Sequence, residues 1–549
     1  MPTVSAHVAL TLAQHIDAVF GVMGNGNAYF LDAIETQTDA VFTAVRHEQG
    51  AVVAADAHFR ASGRIAAGTS TYGAGFTNTL TALAEAVQAH VPLVLVVVDE
   101  PTSGSRPWDV DQISLASAVG PRPYTVRRAD AAATTVIAIE HALTYRVPVV
   151  LAIPYDVAAL EAGDVPEAPS PRIPAPLAPR GEFADGMLDE IAAALAGAER
   201  PFLLAGRGAW LSGASAALGE LAAATGALTA SSALGRGVFP ESQYDLGVTG
   251  GFGADGVMEL IRTADVAVVF GASLNQFTMR FGELFAPGTR VFQIDIAPAA
   301  THAHVGGFVR ADARLAAVAL VSRLGDSVPS SPWREIVDVA AARAYEAGDD
   351  LAADGRLDPR SAARRIAGLL PEDRVVVSDG GHFIGWANMY WPVSSPDRMM
   401  MIGTAFQSIG QGWPSVVGAA LARRESTVVL TSGDGGGLMA IADLESAVRA
   451  AGGRGMAVVW NDAAYGAEVN LYGLKGLAEG PMRIPEVDFA AFGAAVGAEG
   501  VVVRSLADLA RLESWTAEDA STRRFLLLDL RISGDVIAPY QQEIIRVNS

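Results

Sequence analysis

Two aspartates in the last third of this 549-residue chain could hold a metal ion. Asp434 stands in Gly433-Asp434-Gly435-Gly436, and Asp462 in Trp460-Asn461-Asp462-Ala463-Ala464-Tyr465-Gly466. Carboxylates are hard oxygen donors, suited to Mg²⁺ or Ca²⁺ held against a diphosphate. The apolar runs 428–430 and 456–459 lead into the two pieces. Each piece therefore falls where a buried strand ends, the ligand edge of an open α/β sheet. Gly435 and Gly436 let backbone N–H groups approach phosphate, and a helix expected to begin near Leu438 adds its positive end. Alone, Gly-Asp-Gly also describes an ordinary turn; the acidic piece after a second strand gives it weight. Near the other end of the chain, Glu48 is followed by the neutral run 51–55. Burial among such neighbours raises a carboxyl's pKa and suits it to proton transfer.

Groups this far apart need several domains to position them. Short apolar runs at 93–98, 147–153, 202–204, 266–270, 375–377, 428–430, 456–460 and 525–530 alternate with amphipathic stretches. That alternation predicts an α/β fold of doubly wound parallel sheets. Prolines at 166, 169, 171, 174, 176 and 179 make a semi-rigid connector, and a second break falls at 325–332. The expected units are 1–165, a linker 166–182, 183–325 and 326–549, each domain of ordinary size.

Composition excludes several functions. Net charge is −21 with no basic block, which argues against nucleic-acid or anionic-membrane partners. No cysteine means no disulfide, thiol nucleophile or iron–sulfur cluster. The one lysine, Lys475, is followed by Gly476, so no Walker-type Gly-Lys-Ser/Thr exists. His302 and His304 alternate as a loop or strand end would. The N-terminal stretch from Val8 is interrupted by Gln14, His15 and Asp17. It reads as a globular helix rather than a signal peptide, and a cytoplasmic enzyme is the expectation.

The Gly-Asp-Gly and Asn-Asp pieces, with their spacer, resemble the diphosphate-binding motif of thiamine-diphosphate (ThDP) enzymes. Val45-Arg46-His47-Glu48-Gln49-Gly50-Ala51, Gly73-Ala74-Gly75-Phe76-Thr77-Asn78 and Gln407-Ser408-Ile409-Gly410-Gln411-Gly412-Trp413-Pro414 are similar to further segments of that superfamily. The resemblance spans the chain, in the order shared by acetolactate synthases, pyruvate oxidases and 2-oxo acid decarboxylases. It implies three doubly wound domains, the first and last related and binding the aminopyrimidine and diphosphate ends of ThDP. It makes Glu48 the carboxyl that activates the aminopyrimidine. Ile409 becomes the side chain that props the cofactor into its bent shape, with the Gln407 carbonyl beside the amino group. His382 falls near the diphosphate.

Two registers are open for the metal. The commonest family spacing from Asp434 reaches Asn461; anchoring on Tyr465-Gly466 makes Asp462 the ligand and Ala464 the carbonyl donor. The second is preferred. The same anchor sets Glu468 above the thiazolium, as in several decarboxylases and some acetyl-transferring relatives. Gln112 resembles the substrate-side glutamine of synthases and oxidases, and Asn25 stands where pyruvate decarboxylases carry an aspartate. In the middle block, Gly206-Arg207-Gly208-Ala209 allows bound FAD without favouring it, since residues 273–278 lack the stretch common in flavin-binding relatives. The expected activity is a ThDP- and metal-dependent lyase or carboligase acting on a 2-oxo acid or related carbonyl compound. A simple decarboxylase, a flavin oxidase and a non-catalytic binding homologue are the alternatives. In the family the site forms between subunits, so a homodimer or homotetramer is implied.

Overall fold

The computed structural model describes residues 1–167, 169–325 and 330–548. Its framework is three six-stranded sheets in which every strand pairing is parallel. The first holds β1 (Ala18–Gly21), β2 (Val41–Ala44), β3 (Ala67–Ser70), β4 (Leu93–Asp99), β5 (Arg122–Thr125) and β6 (Pro148–Pro154), in the order β2-β1-β3-β4-β6-β5. The second holds β7 (Pro201–Ala205), β8 (Leu228–Ser231), β9 (Asp245–Val248), β10 (Val266–Phe270), β11 (Arg290–Asp295) and β12 (Val305–Arg310), in the order β12-β11-β10-β7-β8-β9. The third holds β13 (Arg374–Ser378), β14 (Met399–Met401), β15 (Thr427–Gly433), β16 (Gly455–Asn461), β17 (Glu499–Val503) and β18 (Leu526–Arg531), in the order β14-β13-β15-β16-β18-β17. The apolar runs of the sequence are the cores of these strands: β4, β6, β15 and β16 are buried from end to end. Continuous hydrophobicity is what a parallel sheet covered on both faces requires.

Counted from its own first strand, each outer sheet runs 2-1-3-4-6-5. The shared order is the structural sign that the first and last domains are related. The middle sheet runs 3-2-1-4-5-6, the order of dinucleotide-binding folds. Residues 163–181 carry no helix or strand among those described. The break expected at 325–332 falls partly on 326–329, outside the described residues.

The first and last domains dock through the helices that follow the second strand of each sheet, Glu48–Ser62 and Gly412–Ala422. Ala51, Ala54, Ala55, Val416, Val417 and Ala419 share one core there. Small residues permit backbone contact: a Cβ on Gly418 would lie 1.9 Å from the Ala54 carbonyl oxygen. Because that neighbour is backbone, it cannot swing aside. Gly418→Ala is expected to destabilise by about 1–3 kcal/mol or more, the range for overpacking, read as a lower thermal unfolding midpoint by circular dichroism. An unchanged midpoint would refute this close approach.

Candidate active site

The last sheet reverses its strand order between β13 and β15, the switch point where open α/β sheets bind ligands. Three strand ends meet there: Asp379 to His382 follows β13, Gly433-Asp434 closes β15, and Asn461-Asp462 closes β16. Asp379, 1% exposed, binds the loops together. One carboxylate oxygen accepts the N–H groups of Gly380 (2.8 Å), Gly410 (3.0 Å) and Gln411 (3.1 Å), and the other accepts the Ser432 hydroxyl at 3.2 Å. Sequence reading passed over this residue, because Asp-Gly-Gly also describes an unremarkable turn.

Asp434 is buried and accepts the Gly435 N–H at 2.9 Å. Its carboxyl is pushed up to about 8, first by burial and then by the charge of Asp462. Burial raises Asp462 as well, opposed by His382, whose Nε2 is 3.5 Å away. Two buried carboxylates, both raised by burial and one further raised by the other's charge, form a donor pair suited to a cation. Among the described residues no group of three His, Asp or Glu side chains is placed to hold a metal ion. An ion here would therefore take its other ligands from carbonyls, water or diphosphate, as Mg²⁺ commonly does. Asn461 is turned elsewhere, its amide donating to Asp529 and the Val487 carbonyl at 2.9 Å each, although its Oδ1 is buried without a partner.

Space at this corner is tight. A Cβ on Gly435 would lie 2.7 Å from the Tyr465 ring, on Gly436 2.8 Å from Asp379, and on Gly466 2.3 Å from the His382 imidazole. The helix expected near Leu438 begins at Asp434 instead and runs to Met439. Its glycines, poor helix formers, are retained because these neighbours leave no room for side chains. Ala463, with φ of 58°, re-aims the β16 loop, and the anti-parallel bridge Ala464–Arg483 leaves the Ala464 carbonyl outside its hydrogen bonds. Gln407 also has φ of 58° and precedes Ile409, which reaches over Gly380 and Gly436 and is 37% exposed. Left-handed non-glycine residues of this kind cluster at ligand sites.

In the first domain, Glu48 opens its helix, and its Oε2 accepts the Asn78 amide at 2.9 Å. The alanines after it are fully buried, but Glu48 itself is only half-buried within one chain. Asn25 is exposed and donates to the Tyr72 hydroxyl at 2.9 Å, whereas the neighbouring Asn27 is the buried organiser of that loop. Gln112 is buried, its oxygen accepting the Gly73 N–H (2.8 Å) and its amide donating to the Val98 carbonyl (3.1 Å). In this arrangement it ties a glycine loop to β4. Glu468 is exposed on a short turn ahead of a π-helical segment.

The middle sheet's switch point, between β7 and β10, is closed by backbone. Gly206 and Gly208 donate to the carbonyls of Phe270 and Gly271 at 2.9 Å, and a Cβ on Gly206 would lie 2.4 Å from the Gly271 oxygen. The two glycine amides of this loop are thus engaged in backbone pairing. A cavity of about 380 Å³ between the domains, lined by Arg60, Arg207, Trp210 and Asp397, shares none of the strand-end residues.

The chain matches three domain models: "Thiamine pyrophosphate enzyme, N-terminal TPP binding domain" over residues 2–117, the central domain over 188–324, and the C-terminal TPP binding domain over 379–529. It is 27% identical to acetolactate synthase isozyme 1 large subunit of Escherichia coli (strain K12), over 79% of this chain and 77% of that one. It is also 27% identical to sulfoacetaldehyde acetyltransferase of Roseovarius nubinhibens, over 100% of this chain and 94% of that one. The fold is shared with a candidate thiamin diphosphate-dependent enzyme from Mycobacterium smegmatis, with TM-score 0.77, 23% identity, and coverage of 96% of this chain and 99% of that one. Three matched domains in the family's order, with a donor pair at the switch point of the last sheet, make this chain a member of the thiamine pyrophosphate-dependent enzymes, which work on carbon–carbon bonds.

Proposed function

We propose that the chain is a ThDP- and Mg²⁺-dependent lyase or carboligase acting on a 2-oxo acid or a related carbonyl compound. The observation that carries this reading is the buried Asp434–Asp462 pair at the β13/β15 switch point, with Ile409 reaching over the adjacent glycines. Residues 326–549 would hold the diphosphate end and residues 1–165 the aminopyrimidine end. Bound there, ThDP would supply a thiazolium ring able to take up the electron pair left on a carbonyl carbon when a neighbouring bond breaks. The chain's own part is to hold the ion with Asp434, Asp462 and the Ala464 carbonyl. Ile409 would support the cofactor's rings with the Gln407 carbonyl beside its amino group, and Glu48 would keep a proton on the aminopyrimidine ring nitrogen. Glu468 is the carboxyl available to pass protons on the substrate side. The full-length likeness to an acetyltransferase supports acyl transfer to a second substrate over simple release of an aldehyde. Products from pyruvate and a panel of 2-oxo acids, identified by mass spectrometry, decide between the two.

The active unit in this reading is at least a dimer. Large apolar side chains are exposed beside each half-site: Met23 (64%) and Trp108 (58%) in the first domain, Phe406 (50%) and Met439 (55%) in the last. Pairing two copies covers both surfaces and completes the half-burial of Glu48. Mixing Glu48→Gln with Asp434→Ala protein after dissociation and reassociation should restore activity through one intact site per mixed dimer. Proven exchange with no recovered activity would count against shared sites.

Glu48→Gln should retain ThDP yet slow proton–deuterium exchange at the thiazolium carbon by roughly 10²–10⁴-fold, the range for general acid–base groups. Exchange at the parent rate, followed by NMR, would remove Glu48 from this role.

The aspartate pair predicts a pH signature. The Asp434 carboxyl rises from 3.8 to about 8 on folding. The metal-free fold therefore holds an extra proton between those values and loses stability as pH rises through that window. A divalent ion binds the deprotonated pair and offsets the loss. ThDP with Mg²⁺ should raise the unfolding midpoint more at pH 8 than at pH 6, and Asp462→Ala should weaken this rescue more than Asn461→Ala. The reverse ranking moves the ligand to Asn461.

A further inference from the structure

We infer that Asp443 and Glu85 are reciprocal positioning residues: each domain uses one buried carboxylate to hold, by its backbone amides, the loop that carries the other domain's contribution to the cofactor site. The inference rests on the ThDP reading above.

Asp443, 2% exposed, ends the turn after the Asp434 helix. Its Oδ1 accepts the Arg46 N–H at 2.7 Å, two residues before Glu48, and is itself steadied by the Ser446 hydroxyl at 2.8 Å. A Cβ on Gly50 would lie 2.5 Å from the other oxygen, so the carboxylate is seated against the first turn of the Glu48 helix. In the opposite direction, Glu85 is 1% exposed in the helix Leu80–Gln88 of the first domain. Its oxygens accept the N–H groups of Phe406 at 2.6 Å and Ala405 at 3.4 Å, directly ahead of Gln407 and Ile409.

Each clamp has an arginine that repeats the reciprocity. Arg449 donates to the Ala44 carbonyl at 2.6 Å, and Arg60 donates to the Met401 carbonyl at 3.1 Å. Ala44 and Met401 are the last residues of β2 and β14, the second strands of their two sheets. Each loop is thus held at its start by an arginine and a few residues later by a carboxylate, both from the other domain. Domain glue alone would not require both clamps to fall on the two catalytic loops. The side chains of Arg46 and Phe406 are exposed while their amides are engaged. What the carboxylates fix is the path of the backbone, and small misplacements of a catalytic group cost large factors in rate.

The test separates position from stability. Asp443→Leu and Glu85→Leu should slow exchange at the thiazolium carbon of bound ThDP by roughly 10–100-fold, while Asp443→Asn and Glu85→Gln, whose side-chain oxygens still accept, restore most of the rate. A role confined to stability would lower the unfolding midpoint and leave exchange alone; folded Leu variants exchanging at the parent rate overturn the proposal. Should the Leu variants not fold, hydrogen exchange on the unmodified full chain without cofactor decides. Slow exchange at the Arg46 and Phe406 amides is expected, and free exchange at both refutes the clamps. Glu48→Gln is run alongside. If it leaves carbon exchange intact, the ThDP reading of Glu48 falls; if it stops exchange while folded Leu variants do not, only the clamps fall.

Discussion

A buried carboxylate with four donors around it governs the catalytic face of the last domain. Asp379 lies between the ends of β13 and β15, where an unpaired charge would be severely destabilising. Burial raises its pKa, and the donors from Gly380, Gly410, Gln411 and Ser432 oppose that rise. To satisfy one oxygen, the loop after β14 must fold back over the sheet, and this brings Ile409 above Gly380 and Gly436. Gly436 is crowded by the same carboxylate, whereas Gly435 meets Tyr465 and Gly466 meets His382. The solvation of this one side chain thus sets the path of the loop that carries Ile409 and crowds Gly436.

The second constraint acts between domains. The helices Glu48–Ser62 and Gly412–Ala422 occupy equivalent places in two sheets of the same strand order, and they pack backbone to backbone. Once they dock, the apolar core runs without interruption from the first sheet to the last. The middle domain has its own cores and a different strand order, with its ligand crevice closed by paired glycine loops.

Much of this was legible in the sequence. Continuous apolar runs gave the strands because buried parallel strands admit few polar residues, and Asp434 and Asp462 stood out because acids at strand ends are conspicuous. Glu48 was singled out by resemblance, yet its half-burial could not be read, since that depends on what covers it. The hydrogen bonds that hold Gln112 were not legible, because its partners Gly73 and Val98 lie in other elements. The helix at Asp434 was expected several residues late because glycine propensity argued against it, and tertiary crowding overrode propensity. Glu85 and Asp443 gave no local signal at all. Their acceptor roles toward the other domain span separations of 321 and 397 residues.

That last separation has a meaning in time. A ribosome adding about 5–20 residues per second needs roughly 20–80 s to travel the 397 residues from Arg46 to Asp443. Throughout that interval the first domain can form its own sheet, but the Glu48 loop has no carboxylate to hold it. The nascent chain therefore carries its acid unaimed, and the loop reaches its working path only when the last domain emerges and docks. The path of the Glu48 loop is thereby set by the docking of the last domain rather than by the folding of its own.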